Sequence, residues 1–390
     1  MFLGILMTLM TTLGWSFTCS SPGNPELGQL VTAAAQGINC PQAARHPQVH
    51  LTFDDGPSSA TTPLLLDTLR SRNVKATFFV TASRLQGTAT EARAMVRREL
   101  SEGHLVASHG LDHEPYEVQL SSTGAVIDPG MSSEDRLDQI RTSTQLLDQA
   151  TNGAYSRQSL HWYRFPYGRG ALPSEAELNL LERRGMNFSS TDRSVRLAEY
   201  RRLSEPLHEL AEEGYSHLLW NLDSGDSGAF AHPSTQDDLK NYILSNLRQM
   251  CDQNNPRPMV ALFHDIKPFN ATAVPVLIDI AKCMGVEFVD ARAVSRSESL
   301  RQRGTLITPV SVRASVADPI ADLLRNIEVA ANCDPNQRPG DNWCWSETGK
   351  WYNDCDYGEE SICIRGGWHR KTEEWIRQCQ SRGLIPPDVN

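Results

Sequence analysis

The chain has 390 residues, enough for one large domain and a smaller one. Its charged and apolar fractions are those of a soluble globular protein, and a net charge of -10 without a basic stripe argues against nucleic acid as a partner. Residues 1–16 are apolar but too few to cross a bilayer comfortably. They predict a signal peptide over residues 1–19, cleaved on either side of Cys19, and therefore an exported protein, periplasmic or extracellular, without membrane contact after cleavage. The alternative is a buried N-terminal helix.

The cysteine pattern also indicates export, because disulfides persist in oxidising compartments. Five of the nine cysteines crowd the tail: Cys333, Cys344, Cys355, Cys363 and Cys379. They predict a small disulfide-stapled module over residues 331–390. A zinc knuckle is the alternative, but the tail has no C-x-x-C spacing. Cys251 and Cys283 flank one predicted strand and its helix, so we predict a local bridge between them, with Cys40 pairing into the tail module.

After an irregular segment over 20–47, strands and helices alternate through residues 48–292. The predicted strands are Val49–Phe53, Ala76–Val80, His104–Ser108, Trp162–Phe165, Asn187–Ser189, His217–Leu222, Met259–Phe263 and Val286–Val289. The predicted helices are Thr61–Arg72, Ala89–Glu102, Ser133–Gln149, Ser174–Arg184, Asp237–Cys251 and Ala271–Met284. Such alternation implies a parallel sheet, and seven or eight strands without a G-x-G-x-x-G favour a barrel over a doubly wound sheet. A helical linker over 293–330 leads to the tail module.

Two adjacent carboxylates end the first predicted strand, in the run V-H-L-T-F-D-D-G-P from Val49 to Pro57. Successive side chains on a strand face opposite sides, but at a frayed end Asp54 and Asp55 can enter one cleft from different angles. The alternative is that the two acids only cap a turn. In a parallel barrel this end of the strand faces the active site.

Four further polar motifs fall at or after predicted strands. In H-G-L-D-H, His109 and His113 have the i, i+4 spacing that lets two imidazoles reach one metal ion, although two unrelated surface histidines would look the same. In R-F-P-Y-G, Arg164 can orient carboxylates or be a solvated turn residue. The run W-N-L-D-S-G-D-S contains Asp223 and Asp226 and could be an Asx-rich loop. The last motif is L-F-H-D, Leu262 to Asp265; a lone histidine there would usually be structural.

In this order the five motifs resemble those of the polysaccharide deacetylase family, also called the NodB-homology domain or carbohydrate esterase family 4. The matching motifs read T-F-D-D-G-P, H-x-x-x-H, R-x-P-Y, D-x-x-D and L-x-H, and the resemblance covers residues 48–292. It implies an α/β fold, a distorted (β/α)7 barrel, with the Cys/Trp-rich module as a separate small domain. It also implies hydrolysis of N- or O-acetyl groups on a polysaccharide.

The resemblance further implies a role for each matching residue. Asp55, His109 and His113 resemble the metal triad of the family, and zinc suits these ligands, with cobalt as the alternative. Asp54 resembles the general base and His264 the general acid. Adjacent acids with different roles need different environments, and metal ligation of Asp55 alone would supply that difference.

Other matching residues would support this centre. Arg164 is similar to the arginine that positions the base, and Asp226 to the aspartate that tethers the acid. The backbone N–H of Tyr167 resembles the oxyanion donor, and Leu262 resembles the wall of the acetyl pocket.

Three features depart from the family pattern or lie outside it. Ser227 stands where the family usually has Trp, so Trp162 or Trp220 is expected to help build the acetyl pocket, and we assign Trp220 to substrate binding. The long loop over 114–132 follows the metal histidines and is expected to shape the groove. In the tail, five tryptophans either stack on sugar rings or form the core of the module: Trp343, Trp345, Trp351, Trp368 and Trp375.

These observations predict a secreted, monomeric, metal-dependent deacetylase of N-acetylglucosamine in peptidoglycan. Chitin oligomers, other poly-N-acetylglucosamine and acetylxylan are alternative substrates. A non-catalytic glycan-binding protein is an alternative of another class, favoured weakly by Ser227 and opposed by the retained base, acid and ligands. A zinc peptidase would leave the second acid unexplained.

Overall fold

The structure of the protein is a computed structural model. It describes residues 19–40, 46–116, 119–120, 126–128, 130–170, 173, 175–183, 188–193, 195–197, 200, 204–308, 342–345, 350–353, 361–364 and 367–370. The chain divides into two compact units. The first comprises the residues up to 111 together with 142–164 and 215–308, and the second comprises 112–141, 165–214 and the residues from 309 onward.

Helices and strands alternate along the described chain. The helices are α1 (Pro25–Ala35), α2 (Thr62–Ser71), α3 (Thr90–Ser101), α4 (Ser133–Ala150), α5 (Glu175–Arg183), α6 (Glu205–Glu212), α7 (Gln236–Cys251), α8 (Asn270–Cys283), α9 (Ala291–Ser295) and α10 (Glu298–Arg303). The strands are β1 (Gln48–Asp54), β2 (Ala76–Val80), β3 (Leu105–Ser108), β4 (Gln119–Leu120), β5 (Val126–Asp128), β6 (Trp162–Tyr163), β7 (Ser216–Leu218), β8 (Leu222–Asp223), β9 (Met259–His264), β10 (Glu287–Phe288), β11 (Leu306–Ile307), β12 (Asn342–Trp345), β13 (Lys350–Asn353), β14 (Ser361–Ile364) and β15 (Gly367–Arg370).

The first unit contains one mainly parallel sheet. Its strands follow the order β11-β7-β6-β3-β2-β1-β9-β8, with β10 paired to the start of β1 and only β11 antiparallel to its neighbour. Strands β7 and β8 lie toward opposite ends of this order, yet only residues 219–221 join them. A link that short spans at most about 14 Å, so the sheet must curl until its ends approach each other. The sheet is thus an incomplete, distorted barrel, which confirms the predicted fold class.

Both faces of the central strands are buried, as is usual where helices cover a parallel sheet. In β1 every residue from Val49 to Asp54 is buried, and β2 is buried throughout. Apolar side chains from several strands and from α9 and α10 form one core cluster, which contains Phe79, Ala107, Trp162, Leu218, Val260, Val294, Leu300 and Leu306. This packing fixes the strands whose carboxyl ends carry the predicted site residues.

In the second unit, polar and aromatic contacts join residues far apart in the chain. Arg136 on α4 pairs with Glu209 on α6 at 2.7 Å, and both side chains are buried. The rings of Tyr116 and Phe165 stack with their centroids 4.7 Å apart. In the tail, β12 pairs with β13 and β14 with β15, each pair antiparallel. The predicted roles of the tail cysteines and tryptophans lie outside the described side chains.

The N-terminal segment differs from the prediction of an irregular stretch over 20–47. Residues 25–35 form α1, which begins at Pro25 with the Asn24 side chain accepting a hydrogen bond from the backbone N–H of Leu27. Leu27, Val31 and Ala35 lie on one buried face. A stripe of three apolar residues is a weak signal by itself, and burial in the folded unit is what stabilises so short a helix.

Two disulfides correct the predicted pairing. Cys19 bonds to Cys283 and Cys40 bonds to Cys251, so Cys251 and Cys283 do not bond to each other and Cys40 does not pair with the tail. Cys251 ends α7 and Cys283 ends α8, and the segment that contains α1 is tied to both helix ends. A signal peptide compatible with the first bond would end before Cys19.

Two predicted strands also differ. The predicted strand His217–Leu222 is split into β7 and β8, because Leu219 donates its backbone N–H to the carbonyl of Thr305 while the Asn221 side chain accepts from the backbone N–H of Val260. Residues 188–190 form no strand, while residue 187 is outside the described chain. Within the described chain, no helix combines the length and the apolar run that crossing a membrane requires.

Candidate active site

The predicted site residues of the first unit gather at the carboxyl edge of its sheet. Asp54 is the last residue of β1, and His264, the last residue of β9, stands opposite it in register. His109 directly follows β3, and Arg164 directly follows β6. Because these strands are parallel, their carboxyl ends meet at one edge, as the sequence pattern predicted.

Arg164 and Asp54 form a buried ion pair. The Nη1 atom of Arg164 donates to Asp54 Oδ1 at 2.6 Å and to Thr52 Oγ1 at 2.9 Å, and Nε donates to the carbonyl of Leu218 at 2.8 Å. Arg164 is fully buried and its guanidinium lies 3.9 Å from the ring centroid of Phe79. Burial lowers the pKa of Arg164, and the charge of Asp54 and the hydrogen bond to it act in the opposite direction. The alternative of a solvated turn arginine is therefore wrong.

A group of three side chains has the composition of a metal site. The nearest ligand atoms of Asp55, His109 and His113 lie within 4.8 Å of one another. His109 Nδ1 lies 2.7 Å from the carbonyl oxygen of Arg164, which can only accept, so Nδ1 carries the hydrogen. His109 Nε2, the ring nitrogen on the other side, lies 3.3 Å from Asp55 Oδ1 and 3.7 Å from Asp54 Oδ2. One carboxylate and two imidazoles at these distances are the ligand types of a divalent cation such as zinc, so these residues fit a metal ion.

The second pair at this edge joins Asp226 and His264. Asp226 is fully buried; its Oδ1 lies 2.6 Å from His264 Nδ1, and its Oδ2 accepts the backbone N–H of His264 at 2.7 Å. Burial lowers the pKa of His264, but the hydrogen bond to Asp226 and the charges of Asp226, Asp55 and Asp54 outweigh it and raise that pKa to about 9. His264 Nε2 lies 3.9 Å from Asp55 Oδ2, so the free side of the ring faces the carboxylates of β1. His264 is therefore protonated at neutral pH and is placed to donate a proton.

The turn after β1 is packed against Asp265, a buried residue to which the sequence analysis gave no role. A Cβ atom on Gly56 would lie 2.0 Å from Asp265 Oδ2, so only glycine fits there. Asp265 accepts a hydrogen bond from Thr62 Oγ1. Burial raises the pKa of Asp265 to about 7, with the charge of Asp55 acting in the same direction and the Thr62 hydrogen bond opposing it. The motif L-F-H-D contained Asp265, but only its close approach to Gly56 indicates that it supports the turn after β1.

Backbone strain coincides with predicted site residues. Among the described non-glycine residues with positive φ, two are asparagines and the others are Asp55, His113 and Tyr167, at 73°, 64° and 58°. Asparagine, aspartate and histidine enter this region more often than other non-glycine residues, whereas a bulky residue such as tyrosine enters it rarely. Strained residues of this kind collect at functional sites, which favours the assignment of Tyr167.

The predicted substrate-binding residues lie in different environments. Leu262 is buried in β9 and pairs with Asp223 of β8. Trp220 is partly buried, 5.5 Å from the Arg164 guanidinium, whereas Trp162 is buried in the core cluster and is unsuited to a pocket wall. Tyr167, in the second unit, is 43% exposed, and its ring contacts that of His113 edge-on at 4.6 Å. The substrate-binding roles stay predictions.

Comparison with known proteins supports the family resemblance. Residues 42–188 match the family model described as polysaccharide deacetylase. This segment, less than half of the chain, is similar to that family. The matched range contains Asp54, Asp55, His109, His113 and Arg164, which confirms the resemblance seen in the motifs.

Three relatives show how far the likeness extends along the chain. Peptidoglycan-N-acetylglucosamine deacetylase PgdA of Listeria monocytogenes serotype 1/2a is 52% identical over 73 residues, 19% of this chain and 15% of the relative. The putative polysaccharide deacetylase YheN of Bacillus subtilis is 28% identical over 240 residues, 62% of this chain and 65% of the relative. The chitooligosaccharide deacetylase of Sinorhizobium fredii is 34% identical over 122 residues, 31% of this chain and 47% of the relative. The matches thus cover between a seventh and just under two thirds of these relatives.

Proposed function

We propose that this protein is a secreted, divalent-metal-dependent hydrolase that removes acetyl groups from N-acetylglucosamine residues of peptidoglycan and releases acetate. One observation carries the proposal: two adjacent carboxylates have different partners at the edge where a protonated histidine faces them. Asp54 pairs with Arg164, whereas Asp55 lies against His109. This split matches what hydrolysis of an amide requires, since one acid must accept a proton while the other holds a cation. Peptidoglycan is favoured because the 52% identical relative bears that name.

Asp54 is the group that would accept the proton of the attacking water. Its Oδ1 is occupied by Arg164, which leaves Oδ2 for the water, and the buried guanidinium prevents the carboxylate from rotating. Asp55, His109 and His113 would hold the metal ion. When bound there, a divalent cation would polarise the acetyl carbonyl and make the attacking water more acidic.

His264 would complete the reaction. An amine is a poor leaving group unless its nitrogen receives a proton as the carbon–nitrogen bond breaks. His264 carries that proton at neutral pH, and Asp226 keeps its ring directed toward Asp55. The backbone N–H of Tyr167 is proposed as the second oxyanion donor, a contribution typically of about 3 kcal/mol. The products are acetate and the free amino sugar.

Export is supported by the two disulfides, which would not persist in a reducing compartment. The proposed signal peptide would end before Cys19, so that the bond to Cys283 can form. A single polypeptide contains every proposed catalytic group, so we propose a monomer. Glycan binding by the tail module is proposed on its five tryptophans alone.

Acetate release tests the proposal. Metal-stripped and zinc-restored protein would be incubated with peptidoglycan sacculi and, in parallel, with chitin oligomers. Zinc-dependent release from sacculi is expected. Release from chitin oligomers alone would instead favour a chitooligosaccharide substrate. That second candidate is suggested by the name of the Sinorhizobium fredii relative. Metal binding without release from any acetylated glycan would contradict the enzyme and leave a glycan-binding protein.

Replacement of Asp54 by Asn should remove the base and keep the shape of the side chain. We expect acetate release to fall at least 100-fold, because base catalysis of this kind contributes roughly 10²- to 10⁴-fold. Zinc binding, measured by calorimetry, should be retained, since Asp55 and the histidines are unchanged. Asp67→Asn, at an exposed carboxylate in α2, is the matched control and should keep full activity. Full activity of the Asp54 variant would contradict the mechanism.

A further inference from the structure

Two buried side chains beneath the Asp226–His264 pair have no part in the proposed reaction. Asn270 is the first residue of α8 and Tyr242 lies in α7; both are fully buried. Asn270 Nδ2 donates to Asp226 Oδ2 at 2.7 Å and to the carbonyl oxygen of His264 at 2.9 Å. The Tyr242 hydroxyl lies 2.9 Å from Asn270 Oδ1. One amide thus contacts both members of the pair.

The orientation of this amide follows from its partners. The carboxylate of Asp226 and the carbonyl of His264 only accept hydrogen bonds, so the NH2 group of Asn270 must face them. Asn270 Oδ1 is then directed at Tyr242, whose hydroxyl must be the donor. A flipped amide would bring three acceptor oxygens together in a buried site, at the cost of unsatisfied polar groups. Tyr242 therefore satisfies the amide oxygen and holds Asn270 in this orientation.

The two oxygens of the Asp226 carboxylate have different partners. Its Oδ2 receives both Asn270 Nδ2 and the backbone N–H of His264, which leaves Oδ1 for the imidazole Nδ1. Asp226 lies three residues beyond the end of β8, so its own strand does not hold it. The long helices α7 and α8 supply the support through Tyr242 and Asn270.

We propose that Asn270, oriented by Tyr242, is a positioning residue that fixes the general acid His264 through Asp226. The inference rests on the proposed function, because His264 needs exact placement only if it delivers a proton to the leaving nitrogen. Variants of Asn270 or Tyr242 should therefore slow only the reactions in which the leaving group must be protonated. An aryl acetate, whose phenolate leaves without a proton, should not respond.

The test compares two substrates in zinc-loaded full-length protein. Asn270→Asp keeps the shape of the side chain and removes both donors, and Tyr242→Phe removes only the hydroxyl. We expect kcat for acetate release from chitin oligomers or sacculi to fall about 10- to 100-fold in the first variant and about 3- to 10-fold in the second, part of the roughly 10²- to 10⁴-fold that a general acid contributes. KM, zinc affinity and hydrolysis of 4-nitrophenyl acetate should stay within about twofold of wild type, because the base and the metal ligands are unchanged.

Tyr155→Phe is the matched control. Tyr155 is also fully buried, its hydroxyl donates to that of Tyr215 at 3.0 Å, and its ring lies edge-on to that of His161. It should lose stability comparable to that lost by Tyr242→Phe and keep its kcat on both substrates. Should Asn270→Asp fail to fold, comparing the kcat values of Tyr242→Phe and Tyr155→Phe on the two substrates still tests the inference.

Equal loss on the amide and the aryl ester would assign Asn270 a structural role only and overturn the inference. Unchanged kcat in both variants would overturn it as well. Failure of the proposed function would look different, because the wild-type protein would then release no acetate from any glycan. That result would overturn the inference as well.

Discussion

Arg164 brings a guanidinium into the interior of the sheet, where it donates to Asp54, to Thr52 and to the carbonyl of Leu218. These contacts hold the fully buried guanidinium from three directions. Removing one member of such a pair leaves the other charge buried and uncompensated. Asp54, the proposed base, is therefore expected to depend on this arginine for stability as well as for orientation.

Replacing Arg164 with Met should destabilise the protein by about 3 to 5 kcal/mol, the usual effect of breaking a buried pair. The free energy of unfolding would be measured in urea at neutral pH. Arg70→Met is the control, because Arg70 pairs with Asp67 at an exposed site and should lose less than about 1 kcal/mol. Equal losses in the two variants would contradict the buried-pair interpretation.

His264 should give the proposed activity an alkaline limit. Its pKa in the folded protein is raised to about 9 from 6.5, so its stabilising charge is fully present below pH 6.5 and is lost as the pH rises through about 9. A cation beside Asp55 offsets part of the carboxylate charge and moves this limit downward. In a profile of kcat/KM against pH for acetate release, we expect activity to fall on the alkaline side. The fall should be missing from the residual activity of His264→Gln, and a profile that keeps it would assign the limit to another group.

At the scale of one element, α3 carries a buried acid on its inner face. Glu99 is fully buried, and neither carboxylate oxygen has a hydrogen-bond partner within the part of the chain that the structure describes. Burial, and secondarily the charge of Asp265, raises the pKa of Glu99 well above its ordinary value. Because the pKa of Glu99 is higher in the folded protein than in the unfolded chain, Glu99 lowers the free energy of unfolding as the pH rises above its ordinary pKa.

Glu99→Leu should therefore stabilise the protein at pH 7 by about 1 to 3 kcal/mol, the range for an unsatisfied buried polar group. The gain should shrink as the pH falls toward 4.5, where the carboxyl is neutral in the folded protein and only half ionised in the unfolded chain. Urea unfolding at pH 7 and pH 4.5 measures both values. Glu91→Leu, at an exposed position in the first turn of the same helix, should change little. A lower free energy of unfolding for Glu99→Leu at pH 7 would contradict the prediction and show that the Glu99 carboxyl stabilises the fold.

At the scale of the first unit, the disulfides join the N-terminal segment to the two helices that support His264. Cys19–Cys283 and Cys40–Cys251 close loops of 264 and 211 residues in sequence separation. Loops of this length restrict the unfolded chain strongly. Polar contacts reinforce the first bond, since Ser21 Oγ donates to Asp279 on α8 at 2.8 Å, and Arg72 donates to the same carboxylate.

Cys40→Ser with Cys251→Ser should lower the free energy of unfolding by about 2 to 5 kcal/mol, the usual effect of removing a native disulfide. The double variant tests the Cys40–Cys251 pairing because it leaves the other bond intact. Mass spectrometry of the oxidised variant should still find Cys19 linked to Cys283. A link from Cys40 or Cys251 to a tail cysteine in the wild-type protein would contradict the structure.

The sequence determined the candidate site more completely than it determined the fold around it. Asp54, His109, Arg164 and His264 each follow a short apolar, β-prone run, and parallel strands bring such ends to one edge whatever the exact strand bounds. The order of the motifs then indicated the family, which the match over residues 42–188 confirmed. The catalytic roles stay predictions until activity is measured.

Only the tertiary structure decided what depends on contacts distant in the chain. Cysteine spacing suggested a bridge between Cys251 and Cys283, but the ends of α7 and α8 instead each face the N-terminal segment. Helix α1 was missed because its stability comes from burial rather than from propensity. Asn270 and Tyr242 carry no local pattern, since their hydrogen bonds reach 44 and 28 positions along the chain. Periodicity and spacing report on neighbours in sequence, whereas a positioning network is defined by which helices pack behind the strands.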